Sequence, residues 1–106
     1  KNIPIAFYDR IIIAYEPIWA IGATAKRSAT AAECFEMVTV IRRSVAELTK
    51  TPELGQNIKV LYGGSSNASN TQEFLTTGGA DGLLVGRASL DPKEFSTMIT
   101  IASKLN

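Results

Sequence analysis

Three short apolar runs, each followed by a glycine-bearing or proline-bearing turn and then by a stretch of helical pattern, constrain this chain more than any other feature. The first run, Ile11-Ile12-Ile13-Ala14-Tyr15, is continuous, the pattern of a strand buried on both faces of a parallel sheet. Ile58-Lys59-Val60-Leu61-Tyr62 and Asp81-Gly82-Leu83-Leu84-Val85 are the second and third. Strand-helix order repeated in this way predicts an α/β fold of parallel strands joined by right-handed crossovers.

The helical stretches carry their own punctuation. Thr30 with Glu33 forms a capping box, and Cys34, Met37, Val38, Ile41, Val45 and Leu48 mark one face, with Pro52 and Gly55 expected to end that helix. Asn70 and Glu73 open a short helix that stops at Gly78-Gly79. Asp91-Pro92-Lys93-Glu94 gives cap, first-position proline and capping-box glutamate to a last helix, whose predicted buried stripe is Phe95, Met98, Ile99, Ala102 and Leu105.

With 106 residues, 45% of them hydrophobic and 20% charged, residues 1–106 read as a single domain. A net charge of +1, from 11 basic and 10 acidic residues, offers no electrostatic case for nucleic acid or an anionic membrane. No apolar run approaches the roughly 20 residues that span a bilayer. The single cysteine, Cys34, forms no internal disulfide and lies on an apolar stripe, so it is expected to be a small buried hydrophobe in a cytoplasmic protein. No cofactor is indicated, and no His, Cys or carboxylate cluster has metal-ligand spacing. The opening Lys1-Asn2-Ile3-Pro4 begins mid-pattern, as a piece of a longer protein would.

Glu16 stands where the first strand ends, and carboxyl ends of parallel strands face the ligand crevice. Alone, such a carboxylate is more often solvated. It is followed, however, by Pro17-Ile18-Trp19-Ala20-Ile21-Gly22, a stiff entry with a large aromatic. Tyr62-Gly63-Gly64-Ser65 follows the second strand and Val85-Gly86-Arg87-Ala88-Ser89-Leu90 the third. Glycine lets backbone N–H groups approach an anion closely, and Ser65 adds a hydroxyl.

Taken together, these motifs are similar to those of the triosephosphate isomerase family, over nearly the whole chain. The resemblance implies the C-terminal part, strands six to eight, of a (β/α)₈ TIM barrel, incomplete in this chain because such a barrel takes eight strands and about 250 residues. It implies that Glu16 moves a proton between adjacent carbons of dihydroxyacetone phosphate and glyceraldehyde 3-phosphate, with its basicity raised when a closing lid removes water. Pro17, Ile18 and Trp19 through about Ala29 and Thr30 would be that lid, and Tyr62 would steady it by a contact near Ala29. Gly22, Ser65, Gly86 and Arg87 would hold the substrate phosphate. Implied partners are the triose phosphate, the N-terminal portion of the barrel and, when complete, a second copy in a homodimer.

The chain departs from the family pattern at three points. The segment Ala23 to Thr30 runs two residues longer and lacks the lid glycine. Arg87 replaces a second glycine, keeping a backbone N–H for the phosphate but carrying a large side chain that must point away from it. No histidine occurs anywhere, so the carbonyl-polarising groups of the family's earlier strands are absent, and Glu16 alone should not turn substrate over. The alternative is a non-catalytic phosphate-binding half-barrel that assembles through open strand edges.

Overall fold

The computed structural model describes residues 3–18 and 29–105. After a 3-10 turn at Ile5–Arg10 come strand β1 (Ile12–Tyr15), helix α1 (Ala31–Thr49) and a short helix α2 (Pro52–Asn57). Strand β2 (Lys59–Tyr62), helix α3 (Thr71–Leu75), strand β3 (Gly82–Leu83), a 3-10 turn at Arg87–Leu90 and helix α4 (Pro92–Ser103) complete the order. The strands form one parallel sheet in the order β1-β2-β3, with Tyr15 opposite Tyr62 and Tyr62 opposite Leu83. The β3 ladder extends beyond its two residues, because Asp81 N–H donates to Val60 O (2.8 Å) and Leu84 N–H to Tyr62 O (2.9 Å).

The caps form as their chemistry requires. Thr30 Oγ1 accepts from Glu33 N–H at 3.1 Å while Glu33 Oε1 accepts from Thr30 N–H at 2.8 Å, so two otherwise orphaned donors are satisfied reciprocally. Asp91 Oδ1 accepts from Lys93 and Glu94 N–H at the start of α4. Asn70 does not cap α3 through its side chain; its Oδ1 accepts from Asn67 N–H instead, at 2.8 Å.

The core lies between α1 and α3 and the sheet, built on Cys34, Val38, Ile58, Val60, Tyr62 and Phe74, with Ile41 and Val45 against it. Several expectations about burial and helix ends are corrected. β1 is not buried on both faces: Ile12 and Ala14 are exposed, because among the described residues only its Ile13–Tyr15 face meets the core. Helix α1 ends at Thr49, where Lys50 turns left-handed (φ 55°), and Pro52 starts α2 rather than closing α1. Gly55 brings α2 against Arg42 and Ala46 of α1, which leaves Leu48 in solvent. In α4 only Met98 is fully buried; Ile99, and Leu105 just past the helix end, are exposed, the helix being covered on the flank that meets α3 and the turn before it.

One polar clamp ties these layers at the N-terminal side of the sheet. Arg42 Nη1 donates to Ile58 O (2.7 Å) and Gln56 O (3.0 Å), and its Nη2 donates to Asp81 Oδ2, which also accepts from Val60 N–H at 2.9 Å. A helix, a connection and two strands are thereby held by one guanidinium.

Candidate active site

Parallel pairing in register brings three chain positions to one level at the carboxyl end of the sheet. Gly63 N–H donates to Tyr15 O at 2.7 Å and Leu84 N–H to Tyr62 O at 2.9 Å, so Glu16, Gly63 and Leu84 leave their strands side by side. The turns that follow β2 and β3 therefore rise next to Glu16. Glu16 is exposed and its side chain lies across Gly63: a Cβ placed on Gly63 would stand 2.5 Å from Glu16 Cγ and 3.1 Å from Oε2. No side chain larger than hydrogen fits there without moving the carboxylate.

Gly64 answers a different neighbour. A Cβ on it would collide with the Tyr62 phenol, whose ring is fully buried, stacked on Phe74 with centroids 4.0 Å apart. That path carries the hydroxyl to the start of α1, where Tyr62 Oη accepts from Ala29 N–H at 3.2 Å. Burial raises the Tyr62 phenol above its ordinary pKa, against a lowering contribution from the Ala29 hydrogen bond, so the hydroxyl stays protonated over the physiological range. Burial also pushes the Cys34 thiol up to about 11, which leaves it uncharged and unreactive at neutral pH.

Beyond Gly63 the two turns close round a cavity of about 140 Å³ lined by Gly63, Gly64, Ser65, Ser66, Gly86, Arg87 and Ala88. Ser65, Gly86 and Arg87 are thus brought together from two different strand ends. Space beside Gly86 is open, since a Cβ built there would meet nothing within 4 Å. Ser89 Oγ and N–H both donate to Gly86 O, at 2.6 and 3.0 Å, and hold that turn. On the other side Asn67 Oδ1 accepts from the N–H groups of Ser69 (2.9 Å) and Asn70 (3.2 Å), which fixes the chain directly after Ser66. Gly63 belongs to both features, touching Glu16 and lining the cavity.

Of the segment read as a lid, Pro17 is buried and Ile18 is exposed, while Ala29 is buried under the Tyr62 hydroxyl. Trp19 and Gly22 lie outside the described residues. Sequence reasoning missed Ser66, whose buried hydroxyl has no hydrogen-bond partner among the described residues. Its place directly after Gly-Gly-Ser was the one signal for it. A larger groove, of about 530 Å³, is lined by Ile5, Ile11, Leu54, Ile58 and Lys59 among others, at the amino end of the strands and away from these groups.

The profile of the triosephosphate isomerase family matches residues 2–102. The chain is 46% identical over 94 residues to triosephosphate isomerase of Nocardia farcinica, covering 89% of this chain and 35% of that protein. It is 44% identical over 93 residues to the enzyme of Mycobacterium bovis, covering 88% of this chain and 34% of that one. Among solved structures, triosephosphate isomerase from Bartonella henselae superposes with a TM-score of 0.72 at 34% identity, over 91% of this chain and 36% of the other. The chain spans about a third of the length of these relatives.

Proposed function

Because the chain belongs to the triosephosphate isomerase family, we propose that it forms the part of an aldose-ketose isomerase that carries the base and the phosphate turns, interconverting dihydroxyacetone phosphate and glyceraldehyde 3-phosphate. The observation that carries this reading is the double role of Gly63, which seats the Glu16 side chain on one side and lines the 140 Å³ cavity on the other. A phosphate held in the cavity anchors one end of a three-carbon substrate, and the carboxylate beside it reaches the carbon-bound proton. Holding base and proton in hydrogen-bond reach is the geometric condition for general-base catalysis.

In this reading Ser65, Gly86 and Arg87 offer N–H groups to the phosphate, and Gly22 adds another from the lid formed by Pro17, Ile18 and Trp19. The Tyr62 hydroxyl holds the lid's far end through Ala29 N–H. With no histidine in the chain, the group that polarises the substrate carbonyl comes from the remaining portion of the barrel. The complete enzyme works in the cytoplasm as a homodimer, and among the described residues no helix is long and apolar enough to cross a membrane.

The test is turnover of triose phosphate by this chain alone and after mixing with a polypeptide carrying the first five β/α units of a family member. The chain alone should be silent and the mixture active, and Glu16→Gln should lower the mixture's kcat by roughly 10²- to 10⁴-fold. Equal turnover in Glu16→Gln would remove the base assignment. A second reading, a phosphate-binding assembly module, draws on the exposed apolar Ile12 and Leu84 of the outer strands. A discrete oligomer that binds phosphate and gains no turnover from the missing units would favour it.

A further inference from the structure

Among the described residues Glu94 makes the one hydrogen bond that crosses from α4 to the turn after β2, and it does so in place of the cap its position offers. As the third residue of α4 it stands where a capping-box glutamate would reach back to the Asp91 N–H. That N–H donates instead to Ala88 O at 3.2 Å, and the Glu94 carboxylate reaches 26 positions back in the chain, where Oε2 accepts from Ala68 N–H at 2.6 Å. Both residues are half-buried, so this charge-assisted bond is partly shielded from water and salt.

The turn it grips carries one wall of the cavity. Residues 63–70 form neither strand nor helix, and such a segment keeps its shape only where its backbone groups are tied. Ser65 and Ser66 lie between two fixed points, Gly63 N–H on Tyr15 O (2.7 Å) and Ala68 N–H on Glu94. Asn67 Oδ1 accepts from Ser69 and Asn70 N–H while Asn67 N–H donates to Asn70 Oδ1, so residues 67–70 are one interlocked piece and fixing Ala68 fixes all four. Among the described residues no other hydrogen bond joins residues 64–70 to an element outside β2 and α3. The opposite wall runs straight into α4, held by Ser89 N–H on Gly86 O and Asp91 N–H on Ala88 O. One carboxylate therefore links the helix behind the second wall to the back of the first.

We propose that Glu94 is a positioning residue: by holding Ala68 against α4 it fixes the separation of the two turns that line the cavity, and with it how well their backbone N–H groups converge on one anion. The inference rests on reading that cavity as the phosphate site, and it concerns a side chain that does not line it. The sign of its effect sets it apart from simple electrostatics. A carboxylate near an anion repels it, so a role through charge alone predicts tighter binding once the charge is removed, whereas loss of the tie predicts weaker binding.

The experiment compares the ¹⁵N-labelled 106-residue chain with its Glu94→Ala and Glu94→Gln variants, reading amide exchange at Ala68 and titrating each protein with inorganic phosphate. Gln keeps an oxygen acceptor for the Ala68 N–H and loses the charge. Glu94→Ala should speed Ala68 exchange and raise the phosphate Kd about tenfold, the scale of one charge-assisted hydrogen bond lost, while Glu94→Gln stays close to the parent in both. Unchanged Ala68 exchange in Glu94→Ala would overturn the tie. Tighter phosphate binding in both variants would make Glu94 a repelling charge, and a lowered melting temperature in Glu94→Ala with the parent's phosphate affinity would make it a support for α4; either result overturns the proposal. A parent chain whose amides ignore phosphate overturns the phosphate reading itself, and is told apart from failure of the tie because Ala68 exchange still separates Glu94→Ala from Glu94→Gln.

Discussion

At the scale of single residues, two adjacent glycines do separate jobs. Gly63 leaves room for the Glu16 side chain and Gly64 for the Tyr62 phenol. Gly63→Ala places a Cβ 2.5 Å from Glu16 Cγ, and because that side chain is exposed it is the carboxylate that yields, not the fold. The expected outcome in the complemented enzyme is a kcat lowered about 100-fold by displacement of the base, with far-UV circular dichroism and melting temperature close to the parent's. A normal kcat would show that the base works from another position. A Glu after a strand and a Gly-Gly-Ser turn were both legible in the sequence. Which atom each glycine avoids was not, because for Gly63 that depends on where a side chain 47 positions earlier in the chain comes to rest and for Gly64 on the path the Tyr62 ring takes through the core.

At the scale of elements, the Arg42 clamp decides how α1, α2 and the strands stack. Its donors reach carbonyls at Gln56 and Ile58 and the Asp81 carboxylate, which in turn orders Val60 N–H. Arg42→Met keeps the apolar stem and removes every donor, so it should destabilise the chain by about 2 kcal/mol, from leaving the part-buried Ile58 and Gly55 carbonyls unpaired and losing the exposed bonds to Gln56 O and Asp81. Asp81→Asn keeps an acceptor for Val60 N–H and should cost about half as much. Urea unfolding of the three proteins checks both the size and the order. Helix starts were legible from Thr30-Glu33 and Asp91-Pro92, because caps are local chemistry. The end of α1 was misplaced because the left-handed turn at Lys50 and the docking of α2 through Gly55 are products of packing. The Arg42–Asp81 pair spans 39 positions, and nothing near either residue announces it.

At the scale of the whole molecule, the outer strands of a three-stranded parallel sheet pair on one side only among the described residues, which leaves open edges with apolar side chains uncovered beside them: Ile12 is 62% exposed and Leu84 46%. Such edges pair with other chains. The 106-residue chain should therefore show a sedimentation coefficient that rises with concentration at tens of micromolar, and Ile12→Lys, which puts a charge on the open face of β1, should reduce that rise. Identical sedimentation of both proteins would mean that the outer strand takes no part in association. The class of fold, its parallel strands and the starts of α1 and α4 were readable from the linear order of residues, because periodicity and capping act over a few positions, whereas the roles proposed for Glu16, Ser65, Gly86 and Arg87 came from the family resemblance. Tertiary structure alone decided that Gly63 would touch Glu16, that Ser66 would hold a hydroxyl unpartnered among the described residues, and which apolar residues would be left uncovered. Those outcomes depend on strand register and on which faces find a partner, and both are set by contacts between residues far apart in the chain.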